Sequence, residues 1–436
     1  MLSVSLIQNL LSQRKDIFQW QIKEITLTSH QCFLAKKNLE ALRLVNRTQF
    51  SISLFVKNED GEGEASFSIT PFTERFDHKL DMALQAARMM KNPHFDLPES
   101  GFSYPPVDIL DRKTLQNPNN VLTELQDDLL QSTSSDPGIR LASGELYLDH
   151  QKVALWNSKG LHTECEHSTF HVDFVLLSGS GSDEAESLCY YKRRFLEDVQ
   201  IPRQVEKFSI FALDSLHADL PQSGTFDVVF GEEALDTLFD FFTYQCSAEA
   251  NYTQKAKANL GQSILGESGR TCGDLMTLYA NNTLARSPGS FPFDTYGFPN
   301  GKTLLIRDHH FQTLWGSVKY AGFLGIPATG EIGTVEVNPG THFLKELLTA
   351  SGKPIYHLLR FSNFMPNRVT GHFSGEIRSG YRIDPDGSRH PVRGGAVSGN
   401  IRTAFQNVLF SKETVQREHY SGPEGIRLFN QKIGGK

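Results

Sequence analysis

The sequence predicts an α+β protein with an N-terminal α/β domain, a mixed sheet with helices over residues 1–205, and a C-terminal domain over 222–436 that is rich in antiparallel strands with a few helices. Three observations predict this. The chain has 436 residues, too many for one core of about 100–150 residues. Strand-like alternation and helical spacing both occur in the first half, whereas short apolar segments and glycines dominate the second. A composition of 39% hydrophobic and 21% charged residues is typical of globular proteins.

The first elements follow from hydrophobic periodicity. Residues 1–16 have the spacing of an amphipathic helix and lack the leading positive charge of a signal peptide. Residues 17–70 alternate as strands do, around a glycine-rich hairpin loop at 58–63. Residues 74–91 return to helical spacing, with Thr73 as the expected N-cap.

The later elements are weaker and shorter. In order we expect an irregular proline-rich connection at 92–119, a short helix at 121–129, strands over 139–191 with turns at 157–160 and 179–183, a helix at 203–219, a domain boundary near 200–222, a strand at 226–230, and helices at 232–248, 342–351 and 400–410.

Charge and cysteine content limit the class of protein. A formal net charge of -7 disfavours binding to nucleic acid, and we interpret the longest basic run, Lys192, Arg193 and Arg194, as a solvated helix face. The five cysteines are an odd number without a CxxC pair, as expected in a reducing compartment. No apolar run reaches the ~18 residues needed to span a bilayer. We therefore expect a cytoplasmic protein that binds neither nucleic acid nor membrane.

The densest group of metal-capable side chains lies between His162 and Asp173. His167 and His171 have the i, i+4 spacing of a zinc-binding helix, but the sequence around them alternates as a strand does. Histidines four apart on a strand lie roughly 13 Å apart, too far to share one zinc ion. We interpret the group as a solvated strand face. An atypical metal site built from His162, Cys165 and His167 stays open as an alternative.

An ordered series of motifs resembles the TldD/PmbA family, also called modulators of DNA gyrase. The series covers residues 220–436 well and the first half loosely. Its members are FDVVF at 226–230, FPFD at 291–294, KTLLI at 302–306, LGIPATG at 324–330, NPG at 338–340, TGHFS at 370–374, GYRI at 380–383, PVRG at 391–394, SGN at 398–400 and IGG at 433–435. The resemblance implies an N-terminal α/β domain followed by a strand-rich C-terminal domain.

The family is implied to contain two kinds of subunit. A TldD-like subunit resembles a metallopeptidase, with an HExxxH helix after the strand that corresponds to 226–230 and a zinc-binding cysteine near the C-terminus. A PmbA-like, or TldE-like, subunit lacks these ligands and pairs with it. Here Gly231 and Asp236 stand at the two histidine positions, and residues 273–436 contain no cysteine. Glu232 stands where the general base would be, and we interpret it as a helix-start residue favoured by the helix dipole.

The resemblance therefore implies a TldE-like subunit without catalytic residues or a cofactor of its own, since zinc is expected only in a TldD-like partner. We expect it to form a heterodimer with that peptidase subunit, or a homodimer, and to act on unfolded or extended peptides. Two alternatives stay open: a self-associating peptide-binding scaffold without peptidase, and a metallopeptidase with the atypical site described above. His372 departs from the family pattern, which more often has an acidic residue there.

Overall fold

The structure, a computed structural model, describes residues 1–59, 61–181, 183–266, 272–350 and 352–436. These residues form three β-sheets with helices packed on them, and the fold is α+β as predicted. Among them, no helix is both long enough and apolar enough to cross a membrane.

The first half consists of one large sheet and four helices. Its elements are α1 (Val4–Ser12), β1 (Gln19–Ala35), β2 (Asn38–Asn58), β3 (Gly61–Ile69), α2 (Phe76–Arg88), α3 (Pro118–Ser134), β4 (Ile139–Asn157), β5 (His162–Ser180), β6 (Asp183–Arg193) and α4 (Ile201–Ser215). The strand order is β3-β2-β1-β4-β5-β6, and every neighbouring pair is antiparallel. The mixed sheet expected here is wrong. Short turns make the pairs β1–β2, β2–β3, β4–β5 and β5–β6 antiparallel, and β4 reaches β1 through a longer connection that also leaves these two strands antiparallel.

The helices of the first half differ from expectation mainly at their ends. Helix α2 starts after Arg75, which has a positive φ of 58° and no side-chain cap. The expected cap, Thr73, instead accepts a hydrogen bond from the backbone N–H of Thr70 at 2.8 Å. Helix α4 packs against β5 and β6, so the first layer continues beyond the expected limit at residue 205 to Ser215.

The second half contains short strands and short helices. Its elements are β7 (Gly224–Phe230), α5 (Glu233–Leu238), α6 (Asp240–Gln245), α7 (Ala248–Tyr252), β8 (Cys272–Gly273), β9 (Leu278–Asn281), β10 (Lys302–Arg307), β11 (His310–Phe311), α8 (Val318–Leu324), β12 (Val335–Val337), α9 (Leu344–Leu347), β13 (Ile355–Ser362), β14 (His372–Ile383), β15 (Arg389–Val392), β16 (Ala396–Asn400), α10 (Ile401–Ala404), β17 (Asn407–Phe410), β18 (Thr414–Gln416), β19 (Tyr420–Pro423) and β20 (Ile426–Gly434).

Five strands of the second half close into a small barrel. Strand β7 pairs with β13 in parallel, and the pairs β13–β14, β14–β16, β16–β20 and β20–β7 are antiparallel, which returns the ring to β7. A closed ring leaves no free edge between these strands. Many of their buried apolar side chains belong to one core cluster, which includes Val228, Phe230, Leu358, Phe373, Ile377, Val397, Leu428 and Ile433. The barrel therefore gives the second half a rigid centre, with α5 at its rim.

The three helices expected in the second half are shorter than predicted. The segment 232–248 is divided into α5, α6 and the start of α7, because Phe239, Phe241 and Phe242 are all buried and one straight helix would expose part of that aromatic set. The segment 342–351 keeps only α9, and residue 351 lies outside the described residues. The segment 400–410 keeps only α10, since residues 407–410 pair with β20 as strand β17.

Gly63 offers a test of how β3 packs against α2. A Cβ atom added at Gly63 would lie 1.7 Å from the carbonyl oxygen of Ala87. We expect Gly63→Ala to lower the free energy of unfolding by about 1–3 kcal/mol or more, because backbone rather than a flexible side chain must move. Gly301→Ala is the control, since nothing lies within 4 Å of its added Cβ. The two variants are compared by urea unfolding, and equal stabilities would contradict the packing.

Candidate functional site

The candidate site lies where β7 leaves the barrel and α5 begins. The backbone N–H of Gly231 donates to the carbonyl oxygen of Leu358 at 3.1 Å, which extends the pairing of β7 with β13 by one residue. Glu232 follows with a positive φ of 49° and directly precedes α5. A side chain at Gly231 would be confined, because its Cβ would lie 3.2 Å from Leu359 Cδ2 and 3.4 Å from His357 Nε2.

Arg417, from the loop between β18 and β19, lies between two carboxylates of this site. Its Nη1 donates to Glu232 at 3.0 Å, and its Nε and Nη2 donate to Asp236 at 2.8 to 3.0 Å. Lys207 of α4 donates to the same Glu232 oxygen at 2.8 Å. Guanidinium groups prefer such bidentate contacts with carboxylates. The negative charge of the site is therefore neutralised by side chains of the protein itself.

Burial and neighbouring charges shift the pKa values of Glu232, Arg417 and Glu424. Burial alone would raise the pKa of Glu232, but Lys207 and Arg417 outweigh burial and lower it. Burial by itself would lower the pKa of Arg417, but Asp236 and Glu232 raise it by more than burial lowers it. The guanidinium is therefore always charged. At the edge of the site, burial and the nearby charge of Glu232 raise the pKa of Glu424.

His357 is the neutral member of the site. Its ring is buried on β13, and Nδ1 has no hydrogen-bond partner in the described part of the chain. Burial, together with the charge of Arg389, lowers its pKa to about 4 despite the opposing effect of Glu232. His357 is therefore an uncharged imidazole at neutral pH that faces the vacant side-chain position of Gly231.

These residues do not fit the zinc centre that the family resemblance implies. Gly231 has no ligating group, and the carboxylates of Glu232 and Asp236 are held by two cations rather than left open to a metal ion. Within the described ranges, no group of three or more His, Cys, Asp and Glu side chains could hold a metal. The expected helix-start position of Glu232 is found, but its side chain makes ion pairs instead of capping α5.

The structure does not bring His162, Cys165 and His167 together as ligands. All three are on strand β5, as the alternation predicted, but His162 is on the opposite face from the other two and stacks on Trp156. The predicted solvated face is wrong at His167, which is buried and in contact with Arg194 at 2.6 Å. Burial raises the pKa of Cys165 to about 11, so its thiol is protonated.

Arg194 packs against His167 and thereby covers this part of β5. The solvated helix face expected for the basic run is wrong. Arg194 directly follows strand β6 and is almost fully buried. Its guanidinium donates to the carbonyl oxygens of Ser168 and Pro288 at 3.0 and 2.6 Å. These bonds join the first sheet to a loop of the second half. The sequence analysis assigned Arg194 to a solvated helix face and did not find Arg417, because neither residue belongs to a motif and their partners in the fold are not neighbours in the sequence.

The second half of this protein thus contains a small closed barrel. At the start of helix α5, two carboxylates are bound by cationic side chains. Residues 223–435 match the family model described as the PmbA/TldA metallopeptidase C-terminal domain. Over these residues the chain has the C-terminal domain of the TldD/PmbA family. Comparison with curated protein sequences found no match.

Three solved structures share the fold over nearly their whole length. A protein described as a candidate modulator of a DNA gyrase, from Thermotoga maritima, is 17% identical with a TM-score of 0.80 and covers 99% of this chain and 100% of its own. TldE from Thermococcus kodakarensis is 17% identical with a TM-score of 0.78, covering 98% and 100%. A candidate modulator of DNA gyrase from Bacteroides thetaiotaomicron is 16% identical with a TM-score of 0.81, covering 100% of both chains.

Replacing Arg417 tests whether this cation holds the site together. We expect Arg417→Met to lower the free energy of unfolding by about 2–4 kcal/mol, because it leaves the carboxylate of Asp236 without its partner and that of Glu232 with Lys207 alone. Arg378→Met is the control, since Arg378 makes one exposed ion pair at 3.6 Å. Urea denaturation at pH 7 measures both variants, and a loss below about 0.5 kcal/mol for Arg417→Met would contradict the assigned role.

His357 predicts a pH dependence with a defined sign. Its ordinary pKa of 6.5 falls to about 4 in the folded chain, so between these pH values the unfolded chain binds the proton more readily. Stability from this group is complete above pH 6.5 and is lost as the pH falls toward 4, by on the order of 3 kcal/mol. We expect His357→Gln to reduce the acid loss measured by urea unfolding at pH 7, 5.5 and 4.5. The exposed His78→Gln should leave the pH dependence as it is.

Proposed function

We propose that this chain is the non-catalytic, TldE-like subunit of a cytoplasmic TldD/TldE-type metalloprotease complex that processes or degrades unfolded peptides. The observation that carries the proposal is the ion-pair network of Arg417, Glu232 and Asp236 at the position where the family resemblance implies zinc in the other kind of subunit. A carboxylate held by two cations has no metal-bound water to activate. The proteolytic chemistry is accordingly assigned to a partner subunit.

An uncovered part of β2 supports the presence of a partner. Strand β3 pairs only with residues 50–58 of β2, so residues 38–49 have a neighbour only on the β1 side among the described residues. Leu42 and Leu44 are 64% and 58% exposed there. They lie on the same face as Cys32, which contacts Gln126 of α3, yet both leucines remain exposed. An exposed strand edge with large apolar side chains is typical of an interaction surface.

Extended peptides are the substrate class that suits a strand-rich subunit of this kind. A free strand edge or a strand-lined cavity can bind the main chain of a peptide with little demand on its sequence. The described cysteines are all free thiols, which agrees with the proposed reducing compartment. The uncovered part of β2 also fits a second copy of this chain, which keeps a self-associating peptide-binding scaffold as the second candidate.

Pairing is tested by co-expressing this chain with the TldD-like subunit of the same organism. We expect one complex in size-exclusion chromatography with light scattering, cleavage of unfolded casein only by the complex, and stoichiometric zinc only in the partner. Leu42→Glu with Leu44→Glu should weaken the complex at least tenfold, because two charges would be buried at the interface.

Leu260→Glu is the matched control, since Leu260 is 62% exposed in the second half of the chain. It should leave the complex intact. The proposal is wrong if the two subunits do not associate, or if the isolated chain cleaves casein with its own bound zinc. A stable homodimer that excludes the TldD-like subunit would favour the scaffold instead.

A further inference from the structure

A cavity of about 630 Å³ lies beside the barrel and is lined by residues other than those of the Arg417 site. Strands β14, β16 and β20 line it on one side, and α10, β17 and β8 line it on the other. Ligand pockets for small organic molecules have volumes of roughly 300–1,000 Å³. The cavity is large enough for the last two or three residues of a peptide.

The floor of the cavity depends on close packing at Gly399. A Cβ atom added there would lie 2.1 Å from Gln431 Oε1 and 2.6 Å from the ring of Phe373. Gln431 is buried, and its Nε2 donates to the carbonyl oxygen of Phe429 at 2.5 Å. These contacts hold the bottom of the cavity in one arrangement. The floor is therefore a formed surface rather than a gap between mobile side chains.

The walls present amide groups that the protein itself does not use. The side chains of Gln406, Asn407 and Asn430 line the cavity, and within the described parts of the chain none of them has a hydrogen-bond partner. Each amide offers both a donor and an acceptor. A peptide main chain requires the same combination, because each of its residues presents one N–H and one C=O.

The described lining of the cavity contains basic side chains and no acidic ones. Lys432 and His372 line it, and neither has an ion pair to a carboxylate within the ranges that the structure describes. No Asp or Glu is present among the described lining residues, although the whole chain has a formal net charge of -7. A lysine that makes no ion pair within the protein can attract an anion. The cavity therefore combines main-chain binding groups with a cation at its side.

We propose that this cavity binds the C-terminal carboxylate of an extended peptide. Lys432 pairs with the carboxylate, His372 donates to it through a ring N–H, and the amides of Asn407 and Asn430 bond the adjoining peptide groups. The inference rests on the proposed function in taking a peptide as the ligand, and it places peptide-end recognition in this chain rather than in the peptidase partner. Such recognition would select chain ends over internal loops of folded proteins.

The test measures peptide affinity with the isolated full chain, so it does not depend on pairing. Isothermal titration calorimetry compares N-acetyl-tetraalanine with a free carboxylate against the same peptide with a C-terminal amide. We expect the free acid to bind at least about tenfold more tightly, as one charge-assisted hydrogen bond would provide. Lys432→Gln should reduce this preference to less than threefold and leave the affinity for the amidated peptide unchanged.

Two controls separate recognition from loss of structure. Lys255→Gln removes an exposed lysine outside the cavity and should keep the preference. His372→Gln should weaken binding of the free acid more than that of the amide. The inference is overturned if the wild-type chain binds both peptides equally or neither, or if Lys432→Gln keeps the full preference. Failure of the pairing experiment alone would contradict the proposed function and leave this result intact.

Discussion

The structure around α5 depends on one constraint: two carboxylates next to the barrel rim must be neutralised, and Arg417 does this. In the TldD-like kind of subunit the family resemblance implies a zinc ion at this location. Here a planar guanidinium contacts both Glu232 and Asp236. A guanidinium carries a fixed positive charge but has no open coordination position and cannot activate water. The guanidinium therefore balances the charge of these two carboxylates without providing a metal site.

The same network also fixes the two halves of the chain to each other. Lys207, from helix α4 of the first half, shares Glu232 with Arg417 of the second. Arg360 of β13 donates to Glu233 at 2.9 Å and to Ser187 of β6 at 3.2 Å, which adds a second connection across the boundary. Removing one partner of a partly buried ion pair lowers the free energy of unfolding, because the other charge then stays buried without a partner. The site thus has a structural role that does not require catalysis.

The sequence predicted those features that depend on local periodicity or on an ordered motif series. The α+β class and the long strands of the first half follow from the sequence pattern, and the strand before Gly231 follows from its apolar run. The lengths of the helices in the second half could not be predicted, because the burial of Phe241 and Phe242 and the pairing of β17 override local propensity. Arg417 could not be found because its partners are about 180 residues away.

Several features of this structure oppose a zinc site at Gly231 and Asp236. A histidine side chain at Gly231 would meet Leu359 and His357, so the neighbouring strand β13 would have to repack. A histidine at position 236 would remove the carboxylate that binds Arg417, and the guanidinium would repel a zinc ion at the same place. A cysteine would also be needed in a region whose sequence contains none. A zinc site of the kind that the resemblance implies would therefore require changes at Gly231, Asp236 and Arg417 together rather than a single substitution.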